Sequence, residues 1–168
     1  MELLVVRHAI AEDREAFART GRPDEERPLT DAGRKKFEKG ARGLLSLVPA
    51  IDLLASSPLV RAEQTAGILT GAYGRMTTMR VEELAPASRP AELLPWLQAQ
   101  RGRSTVAVVG HEPHLSALVE HLLVGKSTGF LALKKGGACL LSFARAPAAG
   151  GAELRWLLTA GQLRQLAR

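Results

Sequence analysis

The sequence predicts an α/β fold: a single domain over residues 1–168, with a mostly parallel central sheet between two layers of helices. Three observations carry this. The runs Leu3-Leu4-Val5-Val6 and Val106-Ala107-Val108-Val109 are continuously apolar, as in strands covered on both faces rather than half-exposed ones. Amphipathic helical segments alternate with these strand patterns, as crossover helices do in parallel sheets. At 168 residues, with no internal repeat and no linker-like stretch, the chain suits one core of ordinary size.

The elements follow in order. Residues 2–7 form a buried strand. Residues 11–29 are polar, carry both charges and contain Gly21 and Pro23, so they read as a loop or loosely structured excursion. Loops of that length are commonly functional. Thr30 can cap a helix running to about Val48, with Phe37, Ala41, Leu44, Leu45 and Val48 on its apolar face. Residues 51–55 are a short strand. Ser56-Ser57-Pro58 opens a helix with Pro58 at an early position and Leu59, Ala62, Ala66 and Leu69 on its inner face. A weak strand near residues 79–81 precedes a helix over residues 91–98. After the 104–109 strand, Pro113 opens a helix carrying Leu115, Leu118, Val119 and Leu122. Strands over about 138–144 and 153–158 complete the sheet, joined by the small, flexible stretch 146–151, which suits a hairpin or a crossover loop.

The strand ends carry the chemistry. Arg7-His8-Ala9 follows the first apolar run, and Gly110-His111 follows its distant counterpart. Open α/β sheets bind ligands at the C-terminal edge. Arg27-Pro28-Leu29-Thr30 and Ser57-Pro58-Leu59-Val60-Arg61 also precede helix starts, where unpaired N–H groups and the helix dipole favour anions. Three arginines and two histidines converging there suit a dianionic phosphoryl group. A neutral imidazole is a competent nucleophile near pH 7.

Composition narrows the alternatives. The chain is 46% hydrophobic with a net charge of +6, so it is not disordered in bulk. Its basic residues are dispersed, with no run longer than Arg34-Lys35-Lys36, and aromatic residues are few. A solvated basic surface fits better than nucleic-acid binding. No apolar stretch is long enough to span a bilayer, and no signal peptide is apparent. The single Cys139 lies in a strand pattern and reads as a buried core thiol. A cytoplasmic location is expected. His111, His114 and His121 lack a zinc-binding pattern, so neither metal nor other cofactor is expected; His114 and His121 are read as helix-surface or supporting residues. Glu63 reads as an ion-pair or packing partner.

The motifs Arg7-His8-Ala9, Arg27-Pro28-Leu29-Thr30, Ser57-Pro58-Leu59-Val60-Arg61-Ala62-Glu63-Gln64-Thr65 and Gly110-His111-Glu112-Pro113 together resemble those of the histidine phosphatase superfamily, which includes the phosphoglycerate mutases. They occur in the family's order, and the resemblance spans roughly residues 2–145. One departure is Ala9, where many members have glycine. The small size and the forms of the second and third motifs look most like the SixA type, the bacterial protein phosphohistidine phosphatases.

The resemblance implies a phosphoglycerate mutase-like fold and a metal-independent phosphatase that forms a phosphohistidine intermediate on His8. Arg7, Arg27, Arg61 and His111 would bind the phosphoryl oxygens. Glu83, in Val81-Glu82-Glu83-Leu84-Ala85-Pro86, stands where mutase-like members carry the acid that protonates the leaving group. The implied partner is a phosphohistidine-bearing protein. The alternatives are a small-molecule phosphomonoesterase acting on a sugar, nucleotide or phosphoglycerate ester, and a non-catalytic phosphate-binding regulatory module.

Overall fold

A computed structural model describes residues 1–74 and 76–167. The strands are β1 (Glu2–Arg7), β2 (Leu53–Ser56), β3 (Thr77–Arg80), β4 (Thr105–Gly110), β5 (Ala138–Ser142) and β6 (Glu153–Leu158). The helices are α1 (Arg14–Ala18), α2 (Asp31–Leu47), α3 (Val60–Tyr73), α4 (Leu93–Ala99), α5 (His114–Val124) and α6 (Ala160–Leu166). One sheet runs in the order β3-β2-β4-β1-β5-β6. β1 to β4 pair in parallel, whereas β5 is antiparallel to both β1 and β6. The sheet is therefore mixed, with a parallel block that contains both histidine-bearing strands.

Helices cover both faces. Leu4, Val6, Ala107 and Val109 face a core shared with α2, α3 and α6. Leu3, Val5, Val106 and Val108 face the opposite core, with α4 and α5. The period-two alternation of a strand thus feeds two cores, which is why these runs are apolar throughout. Burial of each such leucine or valine side chain stabilises by about 1.5–3 kcal/mol. Cys139 lies wholly inside the second core, and burial pushes its thiol up to about 12.

Several local readings match the structure. The Thr30 side chain caps α2 by accepting from the Gly33 N–H. Leu115, Leu118, Val119 and Leu122 are fully buried on α5, and residues 143–152 form the hairpin connection between β5 and β6.

Others are corrected. Residues 11–29 are not a loose excursion: they hold α1, a 3-10 turn at Asp24–Glu26 and an antiparallel bridge between Ala11 and Leu29. Side-chain capping by Asp13 and arginine–carboxylate pairing supply what apolar periodicity does not. α3 starts at Val60 rather than at Pro58, because the Ala62 and Glu63 amides turn back to the Leu59 carbonyl. α4 begins at Leu93, after a 3-10 turn at Pro90–Glu92. α6 was not anticipated, although Thr159 and Gln162 form a capping box at its start. Gly33 has a steric reason: a Cβ there would collide with the Ile10 carbonyl oxygen, so α2 could not close against the segment leaving β1.

Candidate active site

Parallel register brings the two distant histidines together. Arg7 stands opposite Gly110 in the β1–β4 pairing, and the next residue of each strand is a histidine. The His8 amide donates to the Gly110 carbonyl at 3.0 Å, and the Ser57 amide donates to the Val109 carbonyl at 2.9 Å. Three strand ends are thereby fixed side by side. The His8 and His111 ring centroids lie 5.0 Å apart. Arg7, His8, Arg27, Arg61 and His111 all line one cleft of about 490 Å³.

The nucleophile candidate is oriented by its own backbone. His8 Nδ1 lies 2.7 Å from the Ala9 carbonyl oxygen. A carbonyl only accepts, so Nδ1 carries the proton and Nε2 keeps its lone pair. His8 is only 6% exposed. Burial pushes its pKa down to about 4, the Ala9 hydrogen bond acting against the shift and the Arg61, Arg7 and Arg27 charges adding to it. The Ala9 amide donates to Thr65 Oγ1 at 3.0 Å, and Thr65 Oγ1 in turn donates to the Arg61 carbonyl at 2.7 Å. A threonine thus ties the His8 segment to the turn that bears Arg61.

Each arginine has one side anchored to protein. Arg7 Nη1 donates to the Leu133 carbonyl at 2.7 Å. Arg27 Nη1 donates to the Glu12 carbonyl and its Nε to Asp24, both at 2.8 Å. Arg61 Nη1 donates to the Asp24 carbonyl at 2.8 Å, and its Nη2 lies 3.0 Å from the Asp24 carboxylate. Arg7 Nε, Arg61 Nε and His111 Nδ1 are buried without a partner. Leaving such groups unsatisfied is costly, and donors in this state await an acceptor. His111 Nε2 pairs with Ser57 Oγ at 2.8 Å. Burial and the neighbouring His8 hold the His111 pKa well below the usual histidine value.

Glu83 is not brought into this group. It lies half-buried in the 3-10 turn Glu82–Leu84, while Pro86, three residues on, lines the cleft. The carboxylates lining the cleft are Glu12, Asp13 and Glu112. Glu112 accepts from the Ser116 hydroxyl at 2.7 Å and from the Ser116 amide at 3.2 Å. His114 is corrected from surface to interior: it is buried at the start of α5 with neither ring nitrogen partnered. Glu63 pairs with Arg80, as expected of an ion-pair residue.

Sequence reasoning missed Ser57, Thr65 and Glu112 as supporting groups, although all three stand inside the quoted motifs. Asp24 and Lys135 left no sequence signal; both sit in polar segments without periodicity.

The motif order, the sheet and the cleft define a histidine phosphatase. The family model of the histidine phosphatase superfamily (branch 1) matches residues 3–85, and the chain belongs to that superfamily. An uncharacterised protein of Picosynechococcus sp. is 34% identical over 139 residues, which is 82% of each chain. Among solved structures, the protein histidine phosphatase SixA complexed with tungstate aligns with a TM-score of 0.82 at 23% identity, over 97% of this chain and 99% of that one. A structure from Nakamurella multipartitia, provisionally described as phosphohistidine phosphatase SixA, aligns with a TM-score of 0.77 at 28% identity, over 94% of each chain. The alpha-ribazole phosphatase of Shigella flexneri shares the fold, with a TM-score of 0.71 at 17% identity over 95% of this chain and 97% of that one. Among the described residues no helix is long and apolar enough to cross a membrane.

Proposed function

We propose that this chain is a SixA-type phosphatase that removes the phosphoryl group from phosphohistidine on a protein. His8 Nε2 attacks phosphorus in line, the bond from phosphorus to the substrate imidazole breaks, and the phosphoryl group rests on His8. Water then attacks the phosphoenzyme, releasing inorganic phosphate and restoring the neutral imidazole. Arg7, Arg27, Arg61 and His111 hold the equatorial oxygens, where charge accumulates in the transition state. The guanidinium groups supply the positive charge, so the mechanism requires neither metal nor cofactor.

One observation carries the reading: an accepting His8 Nε2 shares a cleft with buried, unpartnered guanidinium N–H groups on Arg7 and Arg61 and with the unpartnered His111 Nδ1. That set complements a tetrahedral oxyanion, the class to which tungstate in the SixA structure belongs. The preference for a P–N bond rests on the remainder of the lining. Glu12, Asp13 and Glu112 share the cleft with the arginines. They offset part of the charge of the five cations in the lining, Arg7, Arg14, Arg27, Arg61 and Lys135, and tolerate a neutral or cationic imidazole. A substrate ring that already carries a proton on its other nitrogen leaves as neutral imidazole, so Glu83 contributes little as an acid on this substrate and more on an ester.

The second reading is a small-molecule phosphomonoesterase, favoured by the shared fold with the alpha-ribazole phosphatase. A parallel assay on a phosphohistidine protein and a panel of sugar, nucleotide and glycerate phosphates separates the two. Faster turnover of any ester than of phosphohistidine rejects the protein-substrate reading.

A further inference from the structure

Asp24 occupies a position that the phosphatase reading leaves unused. Its carboxylate lies between three guanidinium groups. Oδ1 accepts from Arg27 Nε at 2.8 Å and from Arg14 Nε at 3.4 Å. Oδ2 lies 3.0 Å from Arg61 Nη2 and 3.5 Å from Arg14 Nη2. The Asp24 carbonyl accepts from Arg61 Nη1 as well. Among the described residues, Asp24 supplies every hydrogen-bond and ion-pair partner of the Arg61 side chain. Arg61 and Arg27 are only 3% and 8% exposed. Two buried cations side by side repel each other strongly at low dielectric, and a single shared carboxylate offsets that repulsion. Asp24 itself is absent from the cleft lining, whereas Arg27 and Arg61 belong to it, and Arg61 Nε remains without a partner.

We propose that Asp24 is the positioning residue that locks Arg27 and Arg61 into one preorganised fork and offsets the repulsion between their two charges. The inference rests on the reading that Arg27 and Arg61 bind the phosphoryl group. Catalysis by fixed donors depends on their being aimed before the charge develops. Loss of the anchor therefore disorders the fork even though the arginines remain.

The test is a double-mutant cycle on the full chain, with phosphohistidine and p-nitrophenyl phosphate as substrates. Asp24→Asn keeps the shape and removes the charge. It is expected to lower kcat/KM at least tenfold, with the circular dichroism spectrum unchanged. In an Arg61→Lys background, which lacks the bidentate fork, the same substitution is expected to cost at least threefold less than it does in the wild type. A purely structural role would give the same loss in both backgrounds. Should Asp24→Asn not fold, Asp24→Glu, which keeps the charge and displaces it by one methylene, supplies the same cycle. Activity of the Asp24 variant within threefold of wild type, or an undiminished loss in the Arg61→Lys background, overturns the proposal. Near-normal activity of both Arg61→Ala and Arg27→Ala would instead reject the phosphate-site reading, so the two failures are distinguishable.

Discussion

The protonation state of His8 gives the sharpest test of the site. An ordinary histidine titrates near pH 6.5, whereas His8 is pushed down to about 4, first by burial and then by the Arg61, Arg7 and Arg27 charges. The difference corresponds to about 3 kcal/mol against the imidazolium. At pH 5.5 an unshifted nucleophile would be roughly 90% protonated and inactive; His8 would be about 3% protonated. Imidazole NMR on the free enzyme reads this directly, and the His8 ring is expected to remain neutral down to about pH 5. With a phosphate ester as substrate, the acid limb of kcat/KM then reflects mainly the phosphoryl group's own titration near pH 6, without a further tenfold loss from the nucleophile. Arg61→Met should raise the His8 pKa only part of the way, because burial is the largest cause. Linkage fixes the sign for stability. The unfolded chain binds the proton below about pH 6.5 and the folded chain does not. The His8 contribution to stability is therefore intact above that pH and is lost progressively down to about pH 4. A His8 ring that titrates near 6.5 in the folded enzyme would refute the argument.

Further outcomes are expected. His8→Ala should lose about three or more orders of magnitude in kcat, and rapid quench with labelled substrate should trap an acid-labile phosphoenzyme only when His8 is present; near-normal turnover without His8 would end the covalent mechanism. Arg7→Ala, Arg61→Ala and His111→Ala should each cost about 2–4 kcal/mol of transition-state stabilisation, with lysine at either arginine position restoring only part, as kcat/KM measurements will tell. Glu83→Gln should slow phosphohistidine turnover by less than about tenfold but affect ester hydrolysis more, since general acids contribute about 10²–10⁴-fold to poor leaving groups; equal, large losses would favour the esterase. Activity should persist in excess EDTA, and its restoration by one specific metal after loss would contradict the arginine clamp.

Much of the architecture was legible because the apolar pattern is local. The continuous runs at residues 3–6 and 106–109 are short, largely β-branched or aliphatic and read as strands covered on both faces, and the inner faces of α2, α3 and α5 follow the helical period. The five residues grouped around the cleft, Arg7, His8, Arg27, Arg61 and His111, were legible because each belongs to a motif at a strand end or helix start. Where polar interactions replace apolar periodicity the pattern falls silent, as in residues 11–29, whose order comes from Asp13 and from arginine–carboxylate pairs. α6 is short, and its capping box is its clearest signal.

What the sequence determined by itself is therefore the set of groups and the strands that carry them. Tertiary structure decided their relations. The 5.0 Å approach of His8 to His111 follows from the parallel register of β1 with β4, across about a hundred residues of intervening chain. The placement of Glu83 outside the cleft lining, and of Glu112 within it, follows from how the segments after β3 and β4 turn. Asp24 pairs with Arg14 and Arg27 inside its own segment, but gains Arg61 only when the segment before α2 folds against the start of α3. Sequence spacing records which groups a chain owns; distances and charge neutralisation between remote segments exist only after the sheet has set its register.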